Sequence, residues 1–414
     1  MNAAVTDRCG GATPLGWALT QAILNSLGTG AVTTGVFFVT TQAYGFSPLA
    51  NFLLAFVAGA TYVGAALTIG PALDRLIARS PVVTHRRALV ALLAALGAVC
   101  AVPVVVARPW TMWVFMALYA PLTGAIWPIV EGYISGGRRG APLRRAIGAF
   151  NMCWAVAVAA AYWLMAPLLD AGRPLLIIAA LGALHVVAAG LALRLPQSPG
   201  THMEIDEGAH PANYTDLLAV FRRLLLLSYV LLYVISPLLP GRLTSLGVDI
   251  AWQTPLASAW MMSRIVMFAL LQRWGGWHGR WRTPAWTGCV MLAGFTLFVF
   301  APTALTLTLA LALFGVGIGG VYAAALYYAM EVGADAVGAG GKHEALIGLG
   351  YACGPLAGIV SWSLVDVGLL PASRASAVVL GVVMVIAVVV GAHALKTAHA
   401  SIRSGTHRDG GCAA

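Results

Sequence analysis

Charged side chains are scarce in this chain. They make up 9% of its 414 residues, against about 25% in an ordinary soluble domain, and that excludes a water-soluble globule. Lysine is nearly missing, with Lys342 and Lys396 alone among 24 basic residues. Cysteine is sparse: Cys9, Cys100, Cys153, Cys289, Cys353 and Cys412 show no paired short spacing, so neither a disulfide framework nor a metal site is expected. The short alternating segments of a membrane β-barrel are absent from the pattern. Gly136-Gly137 and Gly340-Gly341 lack a preceding strand and a Gly-Lys-Ser/Thr ending, which argues against a nucleotide cradle and ATP-driven transport; no cofactor is expected. The histidines are scattered, whereas a membrane enzyme wants acid, base or metal ligands clustered at one interface; no enzymatic activity is expected. The first residues lack a basic start, a short apolar core and a cleavage site, so the first helix is expected to be retained.

What is present is apolar. Hydrophobic residues reach 60% and the mean hydropathy is +0.86. Runs of about 20 apolar residues fit spanning helices at 1.5 Å rise per residue. Twelve are expected, at 15–41, 46–69, 88–107, 110–134, 147–169, 174–193, 224–241, 250–273, 284–301, 303–333, 345–367 and 375–396. The net charge of +10 does not form a nucleic-acid patch; it marks one side of a membrane. Nineteen Lys and Arg residues fall on one side and four (Arg108, Arg173, Arg242, Arg374) on the other; Arg264 completes the 24. The positive-inside rule then places both termini in the cytoplasm. Arg-rich, Lys-poor usage points to a high-GC bacterial source and its inner membrane.

The one long polar interruption, Pro196 to Asp216, divides the chain. The expected organisation is a six-helix bundle over 1–194, a cytoplasmic linker over 195–215, and a second six-helix bundle with a short tail over 216–414. The halves look alike. Shifted by about 200 residues, Glu131 falls on Glu331, Ile147-Gly148 on Ile347-Gly348, Cys153 on Cys353, and Leu73-Asp74-Arg75 on Leu271-Gln272-Arg273. Such self-similarity is the trace of a transporter built from repeats, with its site near the midplane between them.

With Gly70, Asp74, Arg75 and Arg79 in the short segment after the second span, the chain resembles the major facilitator superfamily of secondary transporters. Ile77 and Ala78 stand where that family's pattern has Gly and a base. Glu131 and Arg138 are similar to the acidic–basic pair that sugar porters carry after the fourth span; in the second half Glu331 is kept but Gly338 replaces the base. The resemblance implies an all-α fold of twelve transmembrane helices in two pseudo-symmetric six-helix bundles. It also implies a cytoplasmic gate, assigned to Asp74, Arg75, Glu131, Arg138, Arg273 and Glu331.

Arg264 is the sharpest single signal, the one basic residue inside a span. A guanidinium there costs about 2.5–3.5 kcal/mol on the insertion scale, so it faces a partner or a wet cavity. Trp260, Arg264 and Phe268 share a helix face by i, i+4 spacing, and the fork suits carboxylate or phosphate. An internal ion pair, with Glu331 for example, and a long side chain reaching toward the cytoplasmic interface are the competing readings. Asn25, Asn151 and Tyr119 join Arg264 and Trp260 as candidate substrate contacts, from polar stripes that otherwise serve packing. Gly315, Gly317, Gly319 and Gly320 are expected to let their helix approach a neighbour. The expectation is a monomeric alternating-access permease, embedded in lipid, that moves a small polar or anionic solute, with a proton as candidate coupling ion. Efflux of hydrophobic drugs by the same fold and a non-transporting membrane sensor are the alternatives.

Overall fold

The computed structural model describes residues 13–200, 211, 213–332 and 336–409; the acidic linker residues Glu204, Asp206 and Glu207 lie outside the described residues. Fourteen α-helices follow in order: α1 (Leu15–Thr33), α2 (Gly35–Tyr44), α3 (Pro48–Arg79), α4 (His85–Val106), α5 (Pro109–Ser135), α6 (Gly140–Asp170), α7 (Leu175–Ala192), α8 (Asn213–Ser245), α9 (Ile250–Ala257), α10 (Ala259–Arg273), α11 (Arg282–Phe300), α12 (Ala304–Val332), α13 (Ala336–Asp366) and α14 (Ala372–Asp409). Among the described residues eleven spans are long and apolar enough to cross a membrane, and α1 with α2, bent by 48°, makes a twelfth if the pair is one broken span. The protein is an integral, multi-pass membrane protein. Lipid offers the backbone no hydrogen bonds, so each segment satisfies its own as helix.

Two breaks have local causes. Thr34 leaves helical geometry between α1 and α2, and its hydroxyl meets Ser236 Oγ of α8 at 2.8 Å. Ser258 interrupts α9 and α10 just after Pro255, and there it accepts the indole N–H of Trp163 at 3.2 Å.

Several spans run further than hydropathy alone suggests. Gly70–Arg79, expected as a short connecting segment, is the last part of α3. With Ile77 and Ala78 in place of a turn-forming glycine, Leu76-Ile77-Ala78 simply continues the helix. Likewise α8 starts at Asn213 rather than 224, with Arg222 and Arg223 inside it, and α13 starts well before 345. Polar residues in a span's last turns reach the interface by their own length, so they end the apolar window without ending the helix.

Burial grades the spans from centre to rim. In α8, 78% of the spanning window is buried, against 22% in the last span. Val385, Val388 and Val389 on α14 and Val105 on α4 point outward, as lipid-facing residues should. The central contact is α3 against α13, antiparallel along the whole span. Gly59 faces Ala352 and Tyr351, Gly348 faces Tyr62 and Val63, and Gly358 faces Phe52. A Cβ on Gly59 would sit 2.3 Å from the Ala352 nitrogen, so glycine is what lets the two backbones touch. The expected close approach of the span carrying Gly315 is also present: Gly315 faces Trp260 and Ser263, and Gly317 faces Met291.

Candidate substrate site and buried carboxylate cluster

Arg264 lies on α10 with no exposed surface. Its guanidinium carbon is 4.4 Å from the ring centroids of both Trp154 and Tyr322, 5.3 Å from Phe268 and 5.8 Å from Trp260. Trp154 and Tyr322 are nearly parallel, 5.3 Å apart. The helical spacing of Trp260, Arg264 and Phe268 therefore produces the expected shared face, and α6 and α12 complete it as a box. Each cation–π contact is worth about 0.5–2 kcal/mol, the upper end applying where water is excluded. One weak hydrogen bond, Nη2 to Tyr229 Oη at 3.5 Å, is all the guanidinium makes; Nε and Nη1 have no acceptor. Among the described residues no carboxylate stands within ion-pair distance of it, Glu331 included. A buried cation with donors left over is costly unless a further acceptor meets it.

A cavity of about 280 Å³ adjoins the box through Phe268, lined also by Asn151, Gln272, Arg144, Arg145, His278 and Tyr327. Asn151 is 3% exposed, with its amide oxygen unpartnered. At the mouth, in the connection between α10 and α11, burial and the nearby Arg144 charge hold the His278 imidazole below its ordinary pKa. Positive charge at this mouth thus comes from the arginines.

The other candidates are dispersed. Tyr119 donates to or accepts from His185 Nε2 at 2.8 Å and lines a smaller cavity with Tyr62, Trp127, Tyr233 and Tyr351. Asn25 is buried, and its side-chain partner is Gln21 on the same helix, at 3.5 Å. Asp74, Arg75 and Arg273 are exposed. Glu131 and Arg138 do not meet. Arg138 turns to the α5 C-terminus and donates to the carbonyls of Tyr133 and Ile134, at 3.3 and 2.8 Å, and of Thr13; a cation is favoured at those orphan carbonyls. Glu331 is half-buried, with one carboxylate oxygen unpartnered.

Glu131 instead joins residues that sequence reasoning passed over. It is 2% exposed and lies beside Glu344 (4%) and His343 (2%) of α13. One donor atom from each falls within 4.8 Å of the others. The Tyr62 hydroxyl donates to Glu344 Oε2. Neither oxygen of Glu131 meets an N–H or O–H donor, and His343 Nε2 is likewise unpartnered. An aromatic layer links this cluster to the Arg264 box: His343 lies 5.1 Å from the Tyr322 ring, and Tyr351 contacts Tyr62, Tyr229 and Tyr233. Because the hydrogen bond from Tyr62 goes to a buried acid, Tyr62→Phe is expected to cost about 1.5–3 kcal/mol. Thermal unfolding of the purified variant checks this; an unchanged melting temperature contradicts it.

No protein-family model matches the sequence, and no curated protein sequence matches it. Solved structures do resemble the fold. The nucleoside transporter NupG is 13% identical, with 91% of this chain and 98% of that one covered and a TM-score of 0.67. A bacterial homologue of the human lysosomal transporter Spinster, in an inward-facing and unoccupied conformation, is 12% identical, with 93% and 96% covered and a TM-score of 0.68. The fold is therefore that of these solved transporters, an all-helical membrane fold as the sequence resemblance implies.

Proposed function

We propose that this protein is a secondary transporter that carries a small anionic solute by alternating access, bound at Arg264 within its aromatic box. The observation that carries this reading is the fully buried guanidinium with orphaned donors, no carboxylate partner among the described residues, and a cavity alongside that is lined in part by Asn151, Gln272, Arg144 and Arg145. A carboxylate or phosphate would supply both the missing acceptors and the missing charge. The near-parallel rings of Trp154 and Tyr322 favour a solute with a flat face beside its anionic group. NupG's nucleoside cargo shares the flat face but not the charge, so neutral nucleosides are the informative comparison.

The two bundles divide at 195–215, and the basic side, including both termini, faces the cytoplasm of a bacterial inner membrane. The gate assigned to Asp74, Arg75, Glu131, Arg138, Arg273 and Glu331 lies on that side; Asn25 and Tyr119 serve the solute path further out. Coupling runs through the buried carboxylates Glu131 and Glu344, because such a pair cannot be enclosed uncompensated and needs a bound cation, a proton or a metal ion. The chain works as a monomer and performs no covalent chemistry.

A thermal-shift screen of the purified protein against carboxylates, phosphates and neutral nucleosides, followed by flux of the hits in proteoliposomes, tests the reading. Only ligands that prefer the folded state raise the melting temperature. An anionic hit that is translocated supports it. Stabilisation by neutral or purely hydrophobic compounds alone would move the assignment to drug efflux, and binding without flux would move it to a sensor.

A further inference from the structure

The Glu131, His343 and Glu344 cluster plays no part in recognising a solute at Arg264, yet it sets two carboxylates and an imidazole, all buried, between α5 and α13. Successive residues on a helix point about 100° apart, so His343 and Glu344 leave a wedge between them. Glu131 of α5 fills that wedge from the other half of the chain. Gly340 permits the approach: a Cβ there would stand 2.6 Å from Glu131 Oε2. Three donor atoms lie within 4.8 Å of one another, so a single ion with bonds of about 2.0–2.2 Å would draw the side chains slightly inward.

We infer that Glu131, His343 and Glu344 form a binding site for a divalent first-row metal ion that pins α5 to α13 across the seam. A single proton shared between the carboxylates would satisfy that contact alone. It would leave the imidazole nitrogen His343 Nε2 and an oxygen of Glu131 without a protein partner. A metal ion engages all three side chains together. Imidazole with two carboxylates suits zinc or manganese over magnesium and calcium, which prefer oxygen alone. Tyr62, bonded to Glu344, orients its ligand from outside the coordination sphere. Three protein ligands leave a position open, as in exchangeable rather than closed structural sites. An ion there holds the basic side of the seam shut, and its departure frees α5 from α13.

The test uses the full-length purified protein, stripped with chelator, supplied with zinc or manganese chloride and desalted. The wild type is expected to retain a single ion per chain, to gain thermal stability, and to release protons on binding, because the ligands must be deprotonated. Glu131→Gln and His343→Gln are each expected to abolish retention, and Tyr62→Phe to weaken it by about 10–100-fold. Replacing the tail histidines His393, His399 and His407 together is expected to change nothing. X-ray absorption of zinc bound to wild type, which needs no variant to fold, is expected to show one imidazole among oxygen ligands. Three results would overturn the site: no retained metal; retention unchanged in His343→Gln; or a spectrum with several imidazoles. Stabilisation by acid with no response to metal would also overturn it, in favour of a shared proton. None of these readouts depends on solute flux, so the transport reading stands or falls separately.

Discussion

Replacing Arg264 with methionine is expected to reduce solute flux by about 100-fold or more while leaving the melting temperature unchanged or higher. The two halves of this expectation come from one fact: the guanidinium is buried without a carboxylate partner among the described residues. Exchanging a buried charge for a well-packed apolar group of similar length is often neutral or stabilising by about 1–4 kcal/mol, although the lost contacts to Trp154 and Tyr322 return part of it. Removing the cation from beneath a bound anion costs about 3–5 kcal/mol, at least two orders of magnitude in affinity. Arg264→Lys keeps the charge but loses the planar fork, and an intermediate loss is expected. Flux in proteoliposomes and thermal unfolding of the same preparations decide the matter. A methionine variant that unfolds early while its remaining folded fraction transports normally would make Arg264 a structural residue.

The second large effect is expected at the seam. Gly59→Leu places side-chain atoms where the Ala352 nitrogen and the Tyr351 carbonyl carbon already lie, 2.3 Å from an added Cβ. Those are backbone atoms of a packed helix and cannot swing aside. Overpacking of this kind costs about 1–3 kcal/mol, and it falls on the arrangement with α3 against α13. States in which that contact is looser are penalised less. The variant is therefore expected to lose transport by more than about tenfold while gaining reactivity at Thr123→Cys, a position lining the small cavity at the seam, in a background without native cysteines. Gly70→Ala is the matched control. It meets open space in a partly exposed helical turn, where alanine is favoured by about 1 kcal/mol. Unaltered labelling and flux in Gly59→Leu would show that the seam does not have to move.

Much of the architecture was legible before any coordinates, and the reason is the solvent. Hydrocarbon thickness dictates span length, so twelve spans could be counted, and with them the fold class. Arg264 stood out for the same reason, since a lone base in lipid is conspicuous. The ends of the helices were not legible. Hydropathy windows stop at the first polar residues, whereas α3, α8 and α13 continue through theirs. Cutting the eleventh span at 345 left His343 and Glu344 in an apparent interfacial segment, and so hid two members of the buried cluster. The spacing of Glu131 and Arg138 suggested an ion pair, but a free helix end competes for the arginine and wins.

What the chain alone determines is set by local physics: membrane insertion, helical class, the count of spans, the side rich in arginine, and the isolation of Arg264. Each depends on residues near one another in sequence, or on a transfer energy that needs no partner. What the tertiary structure decides is which side chains complete Arg264 and Glu131. Trp154 and Tyr322 come to the guanidinium from α6 and α12, and His343 and Glu344 come to Glu131 from the opposite half. Those meetings depend on glycine-lined helix faces closing over long sequence separations, and no periodicity within a single span encodes them.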